Sequence, residues 1–334
     1  MILRRKESWG RILYDTKRHN FEVKISNPIN ELPYVSYPLL LNVDLTFKCN
    51  LECRHCVAKD MAKLLGGVEK ADFFVSDETL NLIRKSPFIV IVITGGEPLL
   101  GEYQGTLVKM IKGLDNKGIV IDTNGTVFPT PELLTTLKQY NVMVRVSWDI
   151  PHPEEEANLR KYPRSMYSDP SHYLSEKEKF IKFLIGNGIQ VAIQSVINRR
   201  IKGNRNLYRF PHKIKDLGIT KWYIQRFIPS HELKTDKNYI IELDDYERAV
   251  KRIRKICKQK NLSCFTKKDR RHNGVFLLVG DCELYTQSDD RPGEKVFLGK
   301  LDKIENYFEY VSSSEHSNRY YEINEVDSSR KPFG

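Results

Sequence analysis

The sequence predicts an α/β fold: a partial (β/α)6 barrel of the TIM type, with an N-terminal β-hairpin and a small α+β cap at the C-terminal end. Three observations carry this expectation. Six apolar runs, 39–46, Ile89–Thr94, Ile119–Asp122, Val142–Trp148, Gln190–Ile197 and Lys221–Phe227, read as buried parallel strands. Helical patterns near 77–86, 102–117, 131–140, 171–186 and 207–217 separate them, and Gly118, Gly188 and Gly218 stand where C-terminal caps are expected. Each polar motif falls just after one of the strands, the end at which barrel enzymes carry their chemistry.

The chain divides into residues 1–36, 37–230 and 231–334. In the first range, Trp9–Asp15 and Asn20–Ile25 alternate apolar and polar residues on either side of a turn-prone Thr16–His19, which is a hairpin pattern. The middle range is the barrel. In the last, polar residues 230–242 read as a linker or lid, and Asp244–Lys260 as a helix with acidic residues at its start and lysines at its end. Strand-like pieces follow at Ser263–Thr266, Val275–Val279 and Val296–Leu298, and then a charged tail from 302.

Composition narrows the class. Hydrophobic residues make up 40% and charged residues 29%, ordinary for a globular chain. Nothing in the sequence reads as a membrane span or a signal peptide, so the expected location is the cytoplasm. The net charge of +11 favours an anionic partner, but the basic clusters 251–255 and 267–271 lack interleaved aromatics, which argues against nucleic acid.

The most informative stretch is Cys49-Asn-Leu-Glu-Cys53-Arg-His-Cys56, directly after the first barrel strand. Three thiols on one short loop suit a soft inorganic centre, either zinc or an iron–sulfur cluster. A structural zinc site takes four ligands, usually from a second paired motif, and none is evident. Three ligands suit a four-iron cluster that keeps one iron open. His55 lines the loop rather than joining the ligands. After the second strand, Gly95-Gly96 allows close backbone approach to a ligand and Glu97 is a candidate acceptor for an ammonium. By strand alternation Gln194 or Ser195 faces the barrel mouth. An acid–base hydrolase built on Glu97, Asp149 and His152 has no specific spacing behind it.

The cysteine spacing, Gly95-Gly96-Glu97-Pro98 and Thr123-Asn124-Gly125-Thr126 together resemble the radical SAM superfamily over roughly residues 37–230. The resemblance implies that Cys49, Cys53 and Cys56 hold a [4Fe–4S] cluster whose open iron is chelated by S-adenosylmethionine (SAM). One electron, from a donor of flavodoxin or ferredoxin type, then cleaves SAM to methionine and a 5′-deoxyadenosyl radical that abstracts hydrogen from substrate. It also implies SAM-binding roles for Gly95, Gly96 and Glu97 near the methionyl amino group, and for Asn124 near the ribose. Ser147-Trp148-Asp149 resembles the family's Ser-x-Asp, with Arg160 or Lys161 as the basic partner for the SAM carboxylate. The run Pro151–Glu156 departs from the usual continuation. Gln194 completes the set with Gln225, in a stretch resembling the one that packs on adenine; Arg226 beside it could meet substrate.

Cys264, Gly274, Cys282 and Leu298-Gly299 look like the opening of the cysteine-rich SPASM extension of some members, with the later cysteines missing. The expected extension is therefore degenerate and carries no auxiliary cluster, while Cys257 packs in its helix. For substrate, the hairpin and the tail favour a ribosomally made precursor peptide. The basic excess and Ser195–Arg199 resemble nucleotide-dehydrating antiviral members, which gives an anionic small metabolite as the alternative. A non-catalytic iron–sulfur sensor or scaffold is the third reading.

Overall fold

In the computed structural model the parallel strands build one open, curved sheet wrapped by helices. Described residues are 1–7, 10–26, 39–56, 58–68, 73, 75–163, 165–229, 237–267, 276–280, 282–287 and 295–303. Most of the expected lid (230–236), the basic cluster from 268 and the tail from 304 lie outside them.

The N-terminal strands are β1 (Ile2–Glu7), β2 (Gly10–Asp15) and β3 (Asn20–Ile25), an antiparallel sheet in chain order. The expected hairpin is thus the second half of a three-stranded sheet. Its first strand, Ile-Leu-Arg-Arg-Lys-Glu, has too few apolar residues to announce itself.

The six expected barrel strands are β4 (Leu40–Thr46), β5 (Val90–Gly95), β6 (Gly118–Thr123), β7 (Met143–Ser147), β8 (Gln190–Ile197) and β9 (Lys221–Arg226). They pair in sequence, each parallel to the next. Between them run α1 (Ala58–Leu64), α2 (Asp77–Lys85), α3 (Gly101–Gly113), α4 (Pro131–Gln139), α5 (Pro153–Leu159), α6 (Pro170–Gly186) and α7 (Arg205–Asp216). Capping follows local chemistry. Ser76, Thr130 and Asp169 each accept a hydrogen bond from a backbone N–H of the first turn, and Pro131 and Pro170 sit just inside their helices.

The C-terminal residues depart from the expected cap. After α8 (Leu243–Gln259), β10 (Ser263–Lys267) pairs parallel with β9, while β11 (Phe276–Val279) pairs parallel with β4 at the other side of the sheet. β12 (Glu283–Gln287) and β13 (Lys295–Lys300) continue antiparallel from β11. Residues beyond 230 therefore prolong the barrel sheet on both flanks, and eight parallel strands stand where six were expected. The three expected tail strands were legible from their β-branched and aromatic content. β12 was not.

Alternate residues of the barrel strands sort into two cores. Leu41, Val43, Ile91, Ile93, Ile121, Val144, Ile193 and Ile224 face the helices. Val90, Val92, Val120, Met143, Ala192 and Tyr223 face inward, where they meet Ile12, Tyr14 and Phe21 of the N-terminal sheet. That sheet plugs the end of the barrel from which the strands start. Lys221, the first residue of β9, donates to Arg18 O, His19 O and Asn20 Oδ1 at 2.6–2.7 Å. Gly118 opens β6 rather than capping a helix, and a Cβ there would lie 2.2 Å from the Tyr14 ring. Gly188 and Gly218, by contrast, have positive φ (+81° and +82°) at helix ends, as expected.

His19 secures the plug. One ring nitrogen, Nε2, lies 2.7 Å from Asn141 O, and the Tyr14 hydroxyl meets Nδ1 at 2.7 Å. Burial lowers the His19 pKa from 6.5 to about 4, against the hydrogen bond with Asn141, which raises it. The unfolded chain then binds a proton that the folded chain refuses between these values. Stability present above pH 6.5 is lost as pH falls toward 4. Urea midpoints followed from neutral pH down to pH 5 should decline more steeply for the wild type than for His19→Gln; identical slopes would contradict this assignment.

Candidate cofactor site

At the far end of the barrel, where the strands finish, three loops meet. The cysteine loop follows β4, and its three thiols are free: Cys49 is exposed, Cys53 and Cys56 half-buried. Leu51 N–H points at Cys49 Sγ (3.4 Å) and Asn124 Nδ2 approaches it at 3.8 Å. Burial pushes the Cys53 thiol up to about 12, with Arg160 pulling it down and the other two cysteines pushing it up.

The glycines after β5 serve a purpose other than the expected one. Gly96 N–H donates to Thr46 O (2.6 Å) and Glu97 N–H to Lys48 O (2.8 Å). A Cβ on Gly95 would lie 2.2 Å from Thr46 O, and one on Gly96 2.1 Å from Lys48 O. Gly95 also holds φ at +122°. The close approach is to the backbone entering the cysteine loop, which this turn clamps in place.

Glu97 is likewise turned inward. It is fully buried, and its carboxylate accepts from Leu99 N–H (2.9 Å), Thr123 Oγ1 (2.8 Å) and Asn124 N–H (2.7 Å). Burial raises its pKa to about 7 against those three donors. It staples the loop after β5 to the loop after β6 instead of offering a side chain to an ammonium. Asn124 extends the join: Nδ2 donates to Asn50 Oδ1 (2.8 Å), Oδ1 accepts from Thr126, and Asn50 donates to Thr126 Oγ1 (2.8 Å).

Asp149 and Arg160 lie together, but beneath the surface. Asp149 is fully buried; Oδ1 accepts from Val196 N–H (2.7 Å) and Arg160 Nη2 (3.1 Å), while Oδ2 lies 3.0 Å from Arg160 Nε and 3.2 Å from His55 Nε2. Although burial works to raise it, Arg160 and His55 hold the Asp149 carboxyl well below the usual range. Arg160 is 7% exposed and also faces Glu156 Oε1 at 3.5 Å. Glu156 accepts from Asp149 N–H and Ile150 N–H and pairs with the buried Lys177 at 2.7 Å. The expected role of Arg160, holding a ligand carboxylate, meets a guanidinium already engaged by two protein carboxylates. Lys161, the alternative partner, is surface-exposed and faces Glu52.

This network rests on α5, which the sequence hid. The Pro151–Glu156 run reads in the sequence only as a departure from the usual continuation, yet Pro153 at the first turn and Glu154, Glu155 and Glu156 behind it are helix-start chemistry.

The remaining candidates divide by face. Gln194 and Gln225 are on the inward ladder with Asp122, Arg145 and Tyr223; Ser147 continues it at the mouth. Gln194 Oε1 has no hydrogen-bond partner although buried. Ser195 faces the helices, donating to Trp148 O and accepting from Trp222 Nε1, so it is structural. Sequence reasoning passed over Arg145, which grips Asp122 with two bonds (2.6 and 2.8 Å) and lies 5.1 Å over the Tyr223 ring. A lone charge inside Met-Val-Arg-Val-Ser was the available signal.

Residues 43–197 match the family model of the radical SAM superfamily. Over that segment, a little under half of its length, the chain is similar to the radical SAM superfamily. It is 24% identical over 218 residues to the AdoMet-dependent heme synthase of Nitratidesulfovibrio vulgaris, covering 63% of this chain and 54% of that one. It is 28% identical over 191 residues to the antilisterial bacteriocin subtilosin biosynthesis protein AlbA of Bacillus subtilis, covering 57% and 39%. The chain thus spans about half the length of these curated relatives, or less. Streptococcus suis SuiB bound to precursor peptide SuiA shares the fold, with a TM-score of 0.63 at 13% identity over 85% of this chain and 81% of that one.

The radical SAM core offers a donor set that fits an iron–sulfur cluster: three soft thiols on one loop, with N–H groups aimed at one of them. Among the described residues no three Cys, His, Asp or Glu side chains are already gathered tightly enough for a metal ion. The thiols would therefore close on their centre as it binds. Cys264 packs against the core that contains Cys257 of α8, whereas Cys282 donates to Thr79 of α2.

Proposed function

We propose that this chain is a radical SAM enzyme in which Cys49, Cys53 and Cys56 hold a [4Fe–4S] cluster, and that its substrate is a ribosomally made precursor peptide. The meeting of the cysteine loop, the Gly95-Gly96 turn and Asn124 at one barrel mouth carries the first part. When bound, the cluster and SAM supply reductive cleavage of the sulfonium and hydrogen abstraction from substrate.

The chain's own residues position and exclude. Gly95 and Gly96 present backbone at the mouth, Ser147, Gln194 and Gln225 present polar side chains from the inward ladder, and Asn124 ties the ribose-side loop to Cys49. Glu97, Asp149 and Arg160 act from below, fixing the loops that carry the ligands. The N-terminal sheet seals the opposite end, which leaves the mouth as the approach and keeps water from the interior. In that position the hairpin offers the substrate nothing, so the peptide reading must rest on something else.

It draws on the outer strand of the described sheet and on what two similar proteins are named for. β13 is bonded to β12 and is last in the sheet among the described residues, with Phe297 55% exposed. Such an edge can take an extended peptide by strand addition. Precursor peptide is named for SuiB, and bacteriocin biosynthesis for AlbA. A nucleotide site would need cations converging inside the mouth; Arg145 is held by Asp122, and Lys221 is held by the N-terminal sheet at the other end.

Reconstituted protein given SAM and dithionite without oxygen should release methionine and 5′-deoxyadenosine, read by mass spectrometry. No release would leave the sensor reading. Nucleoside triphosphates should leave the rate unchanged; a several-fold rise would overturn the peptide assignment.

A further inference from the structure

Arg160 and Cys53 face each other across a short backbone bridge. Glu52 N–H donates to Lys161 O at 2.7 Å and Arg54 N–H to Leu159 O at 3.0 Å, so residues 52–54 and 159–161 run side by side with Cys53 opposite Arg160. This bridge fixes the middle ligand of the cysteine loop to the end of α5. It also fixes which charge stands beside that ligand.

Other cations near the loop are poorly placed to matter. Lys48 and Lys161 have side chains 43% and 59% exposed, and Arg54 is exposed as well. Water and salt screen them. Arg160 is 7% exposed and cannot swing away, because Asp149 holds it at 3.0 and 3.1 Å and Glu156 approaches at 3.5 Å. Asp149 is in turn held by Val196 N–H, and Glu156 by two backbone N–H groups and Lys177. Burying this many charges adds little to stability by itself, so a fixed cation beside Cys53 is what the arrangement delivers.

We infer that Arg160 is an electrostatic positioning residue of the proposed cluster, raising its reduction potential through a fixed, buried charge opposite Cys53, rather than a ligand for the SAM carboxylate. The inference rests on the cofactor reading above. A cluster held by thiolates gains one negative charge on one-electron reduction, and a nearby buried cation favours the reduced form. Asp149 and Glu156 serve by aiming the guanidinium.

The test is the midpoint potential of the anaerobically reconstituted protein, followed by electron paramagnetic resonance during reductive titration with dithionite. Arg160→Gln should bind as much iron as the wild type but reduce at a more negative potential. Arg160→Lys should stay close to the wild type, because it keeps the charge. Full iron with an unmoved midpoint in Arg160→Gln would overturn the inference while leaving the cofactor reading intact. A wild type that takes up no iron would overturn both. Should Arg160→Gln fail to fold, the wild type labelled with 15N-arginine still decides. Electron–nuclear double resonance of its reduced cluster should show an arginine nitrogen coupling that persists in Arg54→Lys, and its absence would overturn the inference.

Discussion

Glu156→Ala should cost about 3–5 kcal/mol of folding stability, the range for breaking a buried ion pair from one side. The residue is fully buried, and its carboxylate satisfies four partners: Asp149 N–H at 3.0 Å, Ile150 N–H at 3.1 Å, Lys177 Nζ at 2.7 Å and Arg160 Nε at 3.5 Å. Alanine leaves a lysine that is 1% exposed with Ser147 O as its remaining hydrogen-bond acceptor. Burial already pulls the Lys177 pKa down, with Glu156 pulling it back up, so removing the carboxylate pushes the amine toward its neutral form. Urea unfolding should show a lower midpoint at an unchanged slope. Because the loss comes from stranded charge rather than lost attraction, Glu156→Leu combined with Lys177→Met should lose less than the sum of the single changes. A Glu156→Ala variant within about 1 kcal/mol of wild type would mean that water reaches this network.

The barrel was legible because its signal is local. Runs such as Ile89–Thr94 and Gln190–Ile197 carry enough apolar residues to be read as buried strands without knowing their neighbours. Alternation left Gln194 and Ser195 as alternatives for the inward face, and the Trp148 and Trp222 bonds that turn Ser195 outward come from other strands. What could not be read depends on partners distant in the chain. Gly118 looks like any helix cap until Tyr14 is found against it. Gly95 and Gly96 read as room for a ligand, but the room is filled by Thr46 and Lys48. The tail's β12 and the parallel attachment of β10 and β11 rest on pairing with β9, β4 and β13, which no local pattern records.

The site shows the same division. Cysteine spacing is a local property, and it pointed to the loop at once. The environment of that loop was hidden. His55 touches Asp149, and Arg160 stands opposite Cys53 because α5 brings residue 160 there. The arginine expected to bind a ligand carboxylate is engaged by Asp149 and Glu156.

The proposed cofactor requires one cysteine loop to hold one cluster. Iron and acid-labile sulfide per chain after anaerobic reconstitution, in the wild type and in the variant with Cys49, Cys53 and Cys56 all changed to Ala, test it most directly. The expected result is about four irons in the wild type and none in the variant. About eight, half of them surviving the substitutions, would give Cys264 and Cys282 an auxiliary cluster, against the packing of Cys264 on the core and the bond of Cys282 to α2. No iron in either protein, or zinc in its place, would contradict the account.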